Sequence, residues 1–202
     1  MFTEVIFDIE TKTFFDESGD YDASKLGVSI VSLYSRHLKN DLEEIEGELL
    51  SFWESDFKKM WSLFSSADRI IGFNSKRFDV PALKPYAPPN FARLPHFDIL
   101  EEVKKASGKR ASLNKIATQT LQKEKNDNPA NAILYFQKGD KESLEKLKRY
   151  CEEDVRLTKE IYDFVLKNKY LEFKDFWNEE RVVSLDFSYL PASQESSQTS
   201  LF

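Results

Sequence analysis

Asp8 and Glu10 stand two residues apart at the end of a β-branched and aromatic run, Val5-Ile6-Phe7-Asp8-Ile9. A strand has a side-chain period of two, so both carboxylates leave the same face of a sheet. Two like charges held together are unfavourable unless something positive sits between them, although Asp-x-Glu also occurs where a strand merely runs out into solvent. Asp79 supplies a third acid in the phrase Gly72-Phe73-Asn74-Ser75-Lys76-Arg77-Phe78-Asp79, where its other role is to favour a helix N-terminus. The fourth is Asp154, four residues after Tyr150, a spacing that puts phenol and carboxylate on one helix face. Both border the apolar stripe of Leu147, Cys151 and Val155, whereas Glu152 and Glu153 lie further round. Acids gathered from two strand ends and a helix make an oxygen-rich site for two hard cations, Mg²⁺ or Mn²⁺, about 4 Å apart. Such a pair suits phosphodiester hydrolysis.

Composition narrows the alternatives. One cysteine, Cys151, and two histidines, His37 and His96, cannot build a Cys/His zinc cage or an intramolecular disulfide, so any metal must be held by carboxylates. A formal charge of -6 argues against coating nucleic acid by bulk charge, but allows an acidic enzyme that grips it through cations and a local basic patch. With 17 Phe and 8 Tyr in 202 residues, the chain has apolar surface for one sizeable core and is not disordered throughout. The start MFTEVIFDIE lacks the basic, uninterrupted apolar character of a signal peptide, and no apolar run reaches bilayer length. The expected setting is cytoplasmic.

The elements that must position the acids follow from pattern. Val5 to Ile9 and Gly27 to Tyr34 read as strands, with a weaker third near Leu42 to Ile45. Apolar residues from Leu49 to Phe64 recur at roughly helical spacing and predict a core-facing helix. Arg69 to Phe73 reads as a short buried strand, and Pro81 fits the first turn of a helix after Asp79. Pro85 to Pro95 carries four prolines and predicts an irregular connection; His96 to Leu100 then reads as a strand end entering a helix. Leu113, Ile116, Ala117 and Leu121 suggest another helix, and Lys123 to Asn131 a polar loop. From Asp140, an N-cap, Leu144 to Val165 step by three or four and mark one long amphipathic helix ending near Lys167-Asn168. Antiparallel strands first, then strands separated by helices, predict an α/β domain with a mixed sheet.

These residues resemble the DEDD 3′-to-5′ exonucleases of the ribonuclease H-like fold. The three motifs of that family occur in order as Asp8-Ile9-Glu10-Thr11, Asn74 through Phe78-Asp79, and Tyr150 through Asp154; the tyrosine points to the DEDDy branch. Leu26 to Ser29, His96 to Leu100, Ser112-Leu113 and Gly139-Asp140 also look like this branch, so the resemblance runs over roughly residues 3 to 168. It implies a ribonuclease H-like mixed sheet, its first three strands antiparallel and the rest parallel, flanked by helices, within a domain spanning 1–170. It further implies that Asp8, Glu10, Asp79 and Asp154 hold two divalent cations, and that Tyr150 orients the attacking water. A phenol, with an ordinary pKa near 10, suits that role better than that of a free base. Thr11 is implied to contact the terminal nucleotide.

Around these, Asn74 either hydrogen-bonds beside the site or shapes a turn, and Lys76 and Arg77 stand ready to neutralise phosphates or are solvated surface bases. Asp98 either supports the site or caps the following helix. Lys104, Lys105, Lys109 and Arg110 form a candidate basic patch. Residues 171–190 are expected to be an aromatic extension packing on the domain, and 191–202 a flexible tail. Its end, Gln198-Thr199-Ser200-Leu201-Phe202, resembles the Gln-x-x-Leu-Phe peptide by which replication and repair proteins dock on a sliding clamp; Gln198, Leu201 and Phe202 would be the contacts. Clamp binding would make the protein nucleoid-associated and favour DNA over RNA. The leading expectation is therefore a two-metal-ion 3′-to-5′ exonuclease acting on single-stranded DNA or RNA. Its alternatives are a non-catalytic nucleic-acid-binding adaptor of the same fold and a structure-selective endonuclease.

Overall fold

Val5, Phe7 and Ile9 leave one face of strand β1 (Phe2–Thr11) and Ile6 the other, and all four are buried because both faces of the sheet are covered. This is a computed structural model, and it describes residues 1–15, 21–123 and 129–189. β1 lies at the centre of a five-stranded sheet with β2 (Val28–Leu38), β3 (Glu44–Trp53), β4 (Arg69–Gly72) and β5 (His96–Asp98), in the order β3-β2-β1-β4-β5. The β1–β2 and β2–β3 pairs are antiparallel, and the β1–β4 and β4–β5 pairs parallel. The mixed α/β sheet expected from the order of elements is present.

The face carrying Ile6 and Ile71 packs against a long helix. Apolar positions on both faces explain how two parallel pairings of three residues each, β1–β4 and β4–β5, hold beside the two long antiparallel ones. On the other face Phe7, Leu33 and Ile70 meet helices α1 (Trp61–Ser65) and α2 (Asp79–Leu83) through Phe64, Ala82 and Leu83. Helix α3 (Ile99–Ser107) follows β5 directly, and α4 (Leu113–Ile116) runs on into one π-helical stretch, Ala117–Leu121.

The long helix is α6 (Lys141–Asn168). Asp140 is its N-cap as expected: the carboxylate accepts from the Ser143 amide and hydroxyl, both at 3.0 Å, and these bonds hold its pKa down to about 2. Its stripe of Leu147, Cys151, Val155, Thr158, Tyr162 and Val165 is buried along the sheet. Lys169, at φ +64°, ends it, with its amide bonded to the Val165 carbonyl.

Three segments differ from the sequence reading. The helix expected over Leu49 to Phe64 is β3 as far as Trp53, then a 3₁₀ turn (Glu54–Lys59) and the short α1. β3 contributes Leu49 to one face of the sheet and Leu50 and Phe52 to the other, so Leu49 to Trp53 is apolar on both faces apart from Ser51 and lacks the strict alternation that tells strand from helix. The loop expected through Asn131 gives way at Pro129 to helix α5 (Pro129–Lys138), where proline suits the first helical position; residues 124–128 lie outside the described residues. After α6 the chain forms a hairpin of β6 (Tyr170–Lys174) and β7 (Glu180–Ser184), a separate two-stranded sheet whose Leu171, Phe173 and Val183 pack with α3, α4 and α6. No helix among the described residues is long and apolar enough to cross a membrane.

Candidate active site

The parity of β1 puts Asp8 and Glu10 on the same face as Ile6, the face that α6 covers. β2 lies opposite, with Ser32 paired to Asp8 and Ile30 to Glu10, and a bulge after Glu10 turns the strand end away from regular pairing. Carboxylate oxygens of Asp8 and Glu10 and the Cys151 sulfur of α6 all lie within 4.8 Å of one another. The Cys151 thiol donates to the Asp8 carbonyl at 3.6 Å and lies 4.0 Å from its Oδ2. Burial, together with the Asp8 and Glu10 charges, pushes the thiol pKa well up.

Asp154, one turn further along α6, shares with Asp8 the wall of a cleft of about 630 Å³ that Phe73, Asn74, Arg110 and Lys115 also line. Asp79 opens α2 and is buried. Burial lifts its carboxyl to about 7, with the Asp98 and Asp154 charges pushing the same way and backbone hydrogen bonds from Asp79 itself and Ile9 opposing. Tyr150 is buried in a small cluster with Ile30, Ala132, Leu147 and Cys151, so α5, which the sequence reading missed, supplies part of its surroundings.

The loop between β4 and α2 is shaped by Asp98 and by two backbone requirements. Asp98, paired in register with Gly72, caps α3 by accepting from the Leu100 and Glu101 amides and also accepts from the amides of Asn74 and Lys76, at 2.9 and 3.0 Å. It therefore caps α3, one of the two roles its sequence position suggested, and braces the loop that leads to Asp79. Asn74 adopts φ +62°, a left-handed conformation that asparagine tolerates, and its Oδ1 accepts from Arg110 at 3.2 Å. Gly72 leaves room for Ser75, since a Cβ there would sit 2.5 Å from the serine Cβ and Oγ.

Other candidate residues are placed as follows. Thr11 is buried, its hydroxyl donating to the Thr13 carbonyl at 3.1 Å. Lys76 pairs with Glu101 at 2.7 Å, and Arg77 is exposed. Of the basic patch, Arg110 reaches the cleft, whereas Lys105 pairs with Glu102. Lys115 and Phe176 line the cleft without having been singled out from sequence; for Phe176 the signal was two adjacent aromatics between turn-forming Asp175 and Asn178. Gln198, Leu201 and Phe202 lie outside the described residues.

A family model of the RNase H superfamily matches residues 5–166, from β1 through nearly all of α6. The chain belongs to the RNase H superfamily. Asp8, Glu10, Asp79, Tyr150 and Asp154 all fall within the matched span of this RNase H superfamily domain. Among solved structures, the family B DNA polymerase from the hyperthermophilic archaeon Pyrobaculum calidifontis is similar in fold, with a TM-score of 0.59 and 19% identity over 82% of this chain. The match covers 25% of the polymerase, so the chain spans about a quarter of that protein's length. No curated protein matches the chain. Membership of the RNase H superfamily supports a nuclease-type function on nucleic acid, in a superfamily whose nucleases generally use divalent metals.

Proposed function

We propose that this chain is a DEDDy-type 3′-to-5′ exonuclease that hydrolyses single-stranded DNA, or RNA, from its 3′ end with two divalent cations. The observation that carries the reading is the place of Asp8, which clusters with Glu10 beside Cys151 and shares a cleft wall with Asp154 of α6, with the buried Asp79 carboxyl in the field of Asp154. Four carboxylates are a hard, oxygen-rich donor set, which fits Mg²⁺ or Mn²⁺. Asp8, Glu10, Asp79 and Asp154 would hold the cations directly or through water. Bound there, the pair supplies an activated water and neutralises charge developing on the leaving 3′ oxygen.

The chain's own residues do the rest. Tyr150, four residues before Asp154 on α6, hydrogen-bonds the attacking water and aims it. Asn74 and Thr11 position the terminal nucleotide, and Lys76 exchanges Glu101 for phosphate while Arg77 contacts the backbone on the approach. Recruitment to a sliding clamp through Gln198, Leu201 and Phe202 rests on the terminal sequence; tethering there would raise the local concentration of enzyme at DNA ends.

The test is a single strand labelled at its 5′ end, incubated with Mg²⁺ or Mn²⁺ and with EDTA, with Asp154→Ala as control. A metal-dependent ladder shortening stepwise from the 3′ end, absent in the variant, is the expected result. Absence of cleavage of both DNA and RNA by folded, metal-binding protein would overturn it in favour of the adaptor. Cleavage of circular substrates would favour the endonuclease.

A further inference from the structure

The tip of the β6–β7 hairpin carries two aromatic rings in water. Phe176 is 85% exposed and Trp177 72% exposed, and the rings stand edge to face with centroids 5.2 Å apart. Side chains so exposed contribute nothing to the core, and two adjacent ones are an unusual surface feature.

The turn that presents them is built rather than loose. Asp175 is 2% exposed, and its carboxylate accepts from the amides of Trp177 and Glu179 and from the guanidinium of Arg181 at 2.9 Å, with an ion pair of 2.8 Å. Its backbone amide donates to Glu179, its carbonyl accepts from Asn178, and Asn178 takes the left-handed φ of +62° that closes the turn. Lys115 of α4 donates to the same carbonyl at 3.2 Å, tying the tip to the domain. At the root, Leu171, Phe173 and Val183 are in the core. The backbone that carries the rings is thus held in place before any ligand arrives, which lowers the entropy cost of binding.

Phe176 lines the same cleft as Asp8 and Asp154, and the same wall contains the cationic Arg110 and Lys115. An acidic centre, two cations and a fixed aromatic tip along one cleft match a ligand with phosphates on one side and flat apolar faces on the other. We infer that Phe176 and Trp177 form a stacking platform for the nucleobases of the single strand whose end lies at the carboxylates. Every base has a π-face, so such a platform binds single strands with little sequence preference. A duplex hides its bases, so the platform selects frayed or single-stranded ends. This inference rests on the nuclease reading of the cleft, and its test separates the two.

The experiment compares wild type with the double variant Phe176→Ala/Trp177→Ala and with Phe176→Tyr/Trp177→Phe. Each is assayed for hydrolysis and, by fluorescence anisotropy in EDTA, for binding of a labelled oligothymidylate, either intact or carrying abasic residues just before its 3′ nucleotide. Both rings are exposed, so the melting temperature should not change. The alanine variant is expected to raise KM and Kd about ten-fold or more on the intact strand, and the aromatic variant to restore them. Abasic residues should weaken wild type by a similar factor and the alanine variant hardly at all. Equal affinity of wild type and alanine variant, or an abasic penalty that survives in the variant, would overturn the platform. Ring-dependent and base-dependent binding without hydrolysis in wild type would sink the exonuclease reading and leave the platform standing.

Discussion

The carboxylate of Asp98 accepts the backbone amide of Asn74 at 2.9 Å across the ends of two parallel strands, while the same oxygen caps the first turn of α3. A single buried side chain thereby ties the loop leading to Asp79 to the helix beside it. Asp98→Ala leaves four amides without this acceptor, those of Asn74, Lys76, Leu100 and Glu101. It should destabilise the protein by about 1–3 kcal/mol and lower kcat/KM roughly 10–100-fold, the usual loss when groups supporting metal ligands are removed. Urea unfolding and single-strand hydrolysis measure both; unchanged activity would mean the loop holds its shape without Asp98.

Asp79 gives the metal-free protein a pH dependence of definite sign. Its folded pKa, about 7, lies above the ordinary carboxylate value, so the folded state binds the proton more tightly than the unfolded chain. The associated stability is fully present below about pH 4 and is lost as pH rises through about 7. Asp79→Asn does not titrate. In EDTA its melting temperature should exceed that of wild type by at least about 2 °C at pH 8, with the gap closing toward pH 4. A gap that does not vary with pH would contradict the buried, acid-crowded setting of Asp79.

Far from the cleft, Glu4 and Arg36 are 0% and 3% exposed and pair at 2.7 Å. Arg36 also grips Asp163 with two nitrogens, and Glu4 accepts from Tyr162 and Tyr189. Removing one partner of a buried pair strands the other charge, so Arg36→Met should cost about 3–5 kcal/mol. Glu4 lies four residues from Asp8, about 13 Å along the strand. Hydrolysis by the folded fraction should therefore match wild type, and a fall in kcat at a temperature where the variant is fully folded would show that the network reaches the site.

Gly72→Ala brings a methyl group within 2.5 Å of Ser75, which is itself fully buried. The overpacking should cost about 1–3 kcal/mol and displace the turn that delivers Asp79. Ser75→Gly in the same chain removes the clashing atoms. The double variant should thus be more stable than Gly72→Ala alone, a coupling that chemical denaturation of the four-member cycle will detect or refute.

What the sequence determined on its own was local or ordered along the chain. The two-residue step of Asp8 and Glu10, the four-residue step from Tyr150 to Asp154, the N-cap at Asp140 and the stripe of α6 are read from periods and capping chemistry that do not depend on the rest of the protein. The order of strands and helices was enough for a mixed sheet. The tertiary structure decided wherever a residue's state depends on what covers it. Leu49 to Trp53 became an edge strand because both faces of the sheet are buried, which erases the period that separates strand from helix. α5 is assigned only once its Ala132 is seen packed beside Tyr150. Glu4, an unremarkable acid in a strand, is buried solely because Arg36, Tyr162 and Tyr189 converge on it from distant positions. Asp98 joins two elements that only the parallel register of β4 and β5 brings together, and Phe176 meets the cleft only because the hairpin folds back after α6. Such long-range pairings cost chain entropy and are repaid by contacts that no local window contains.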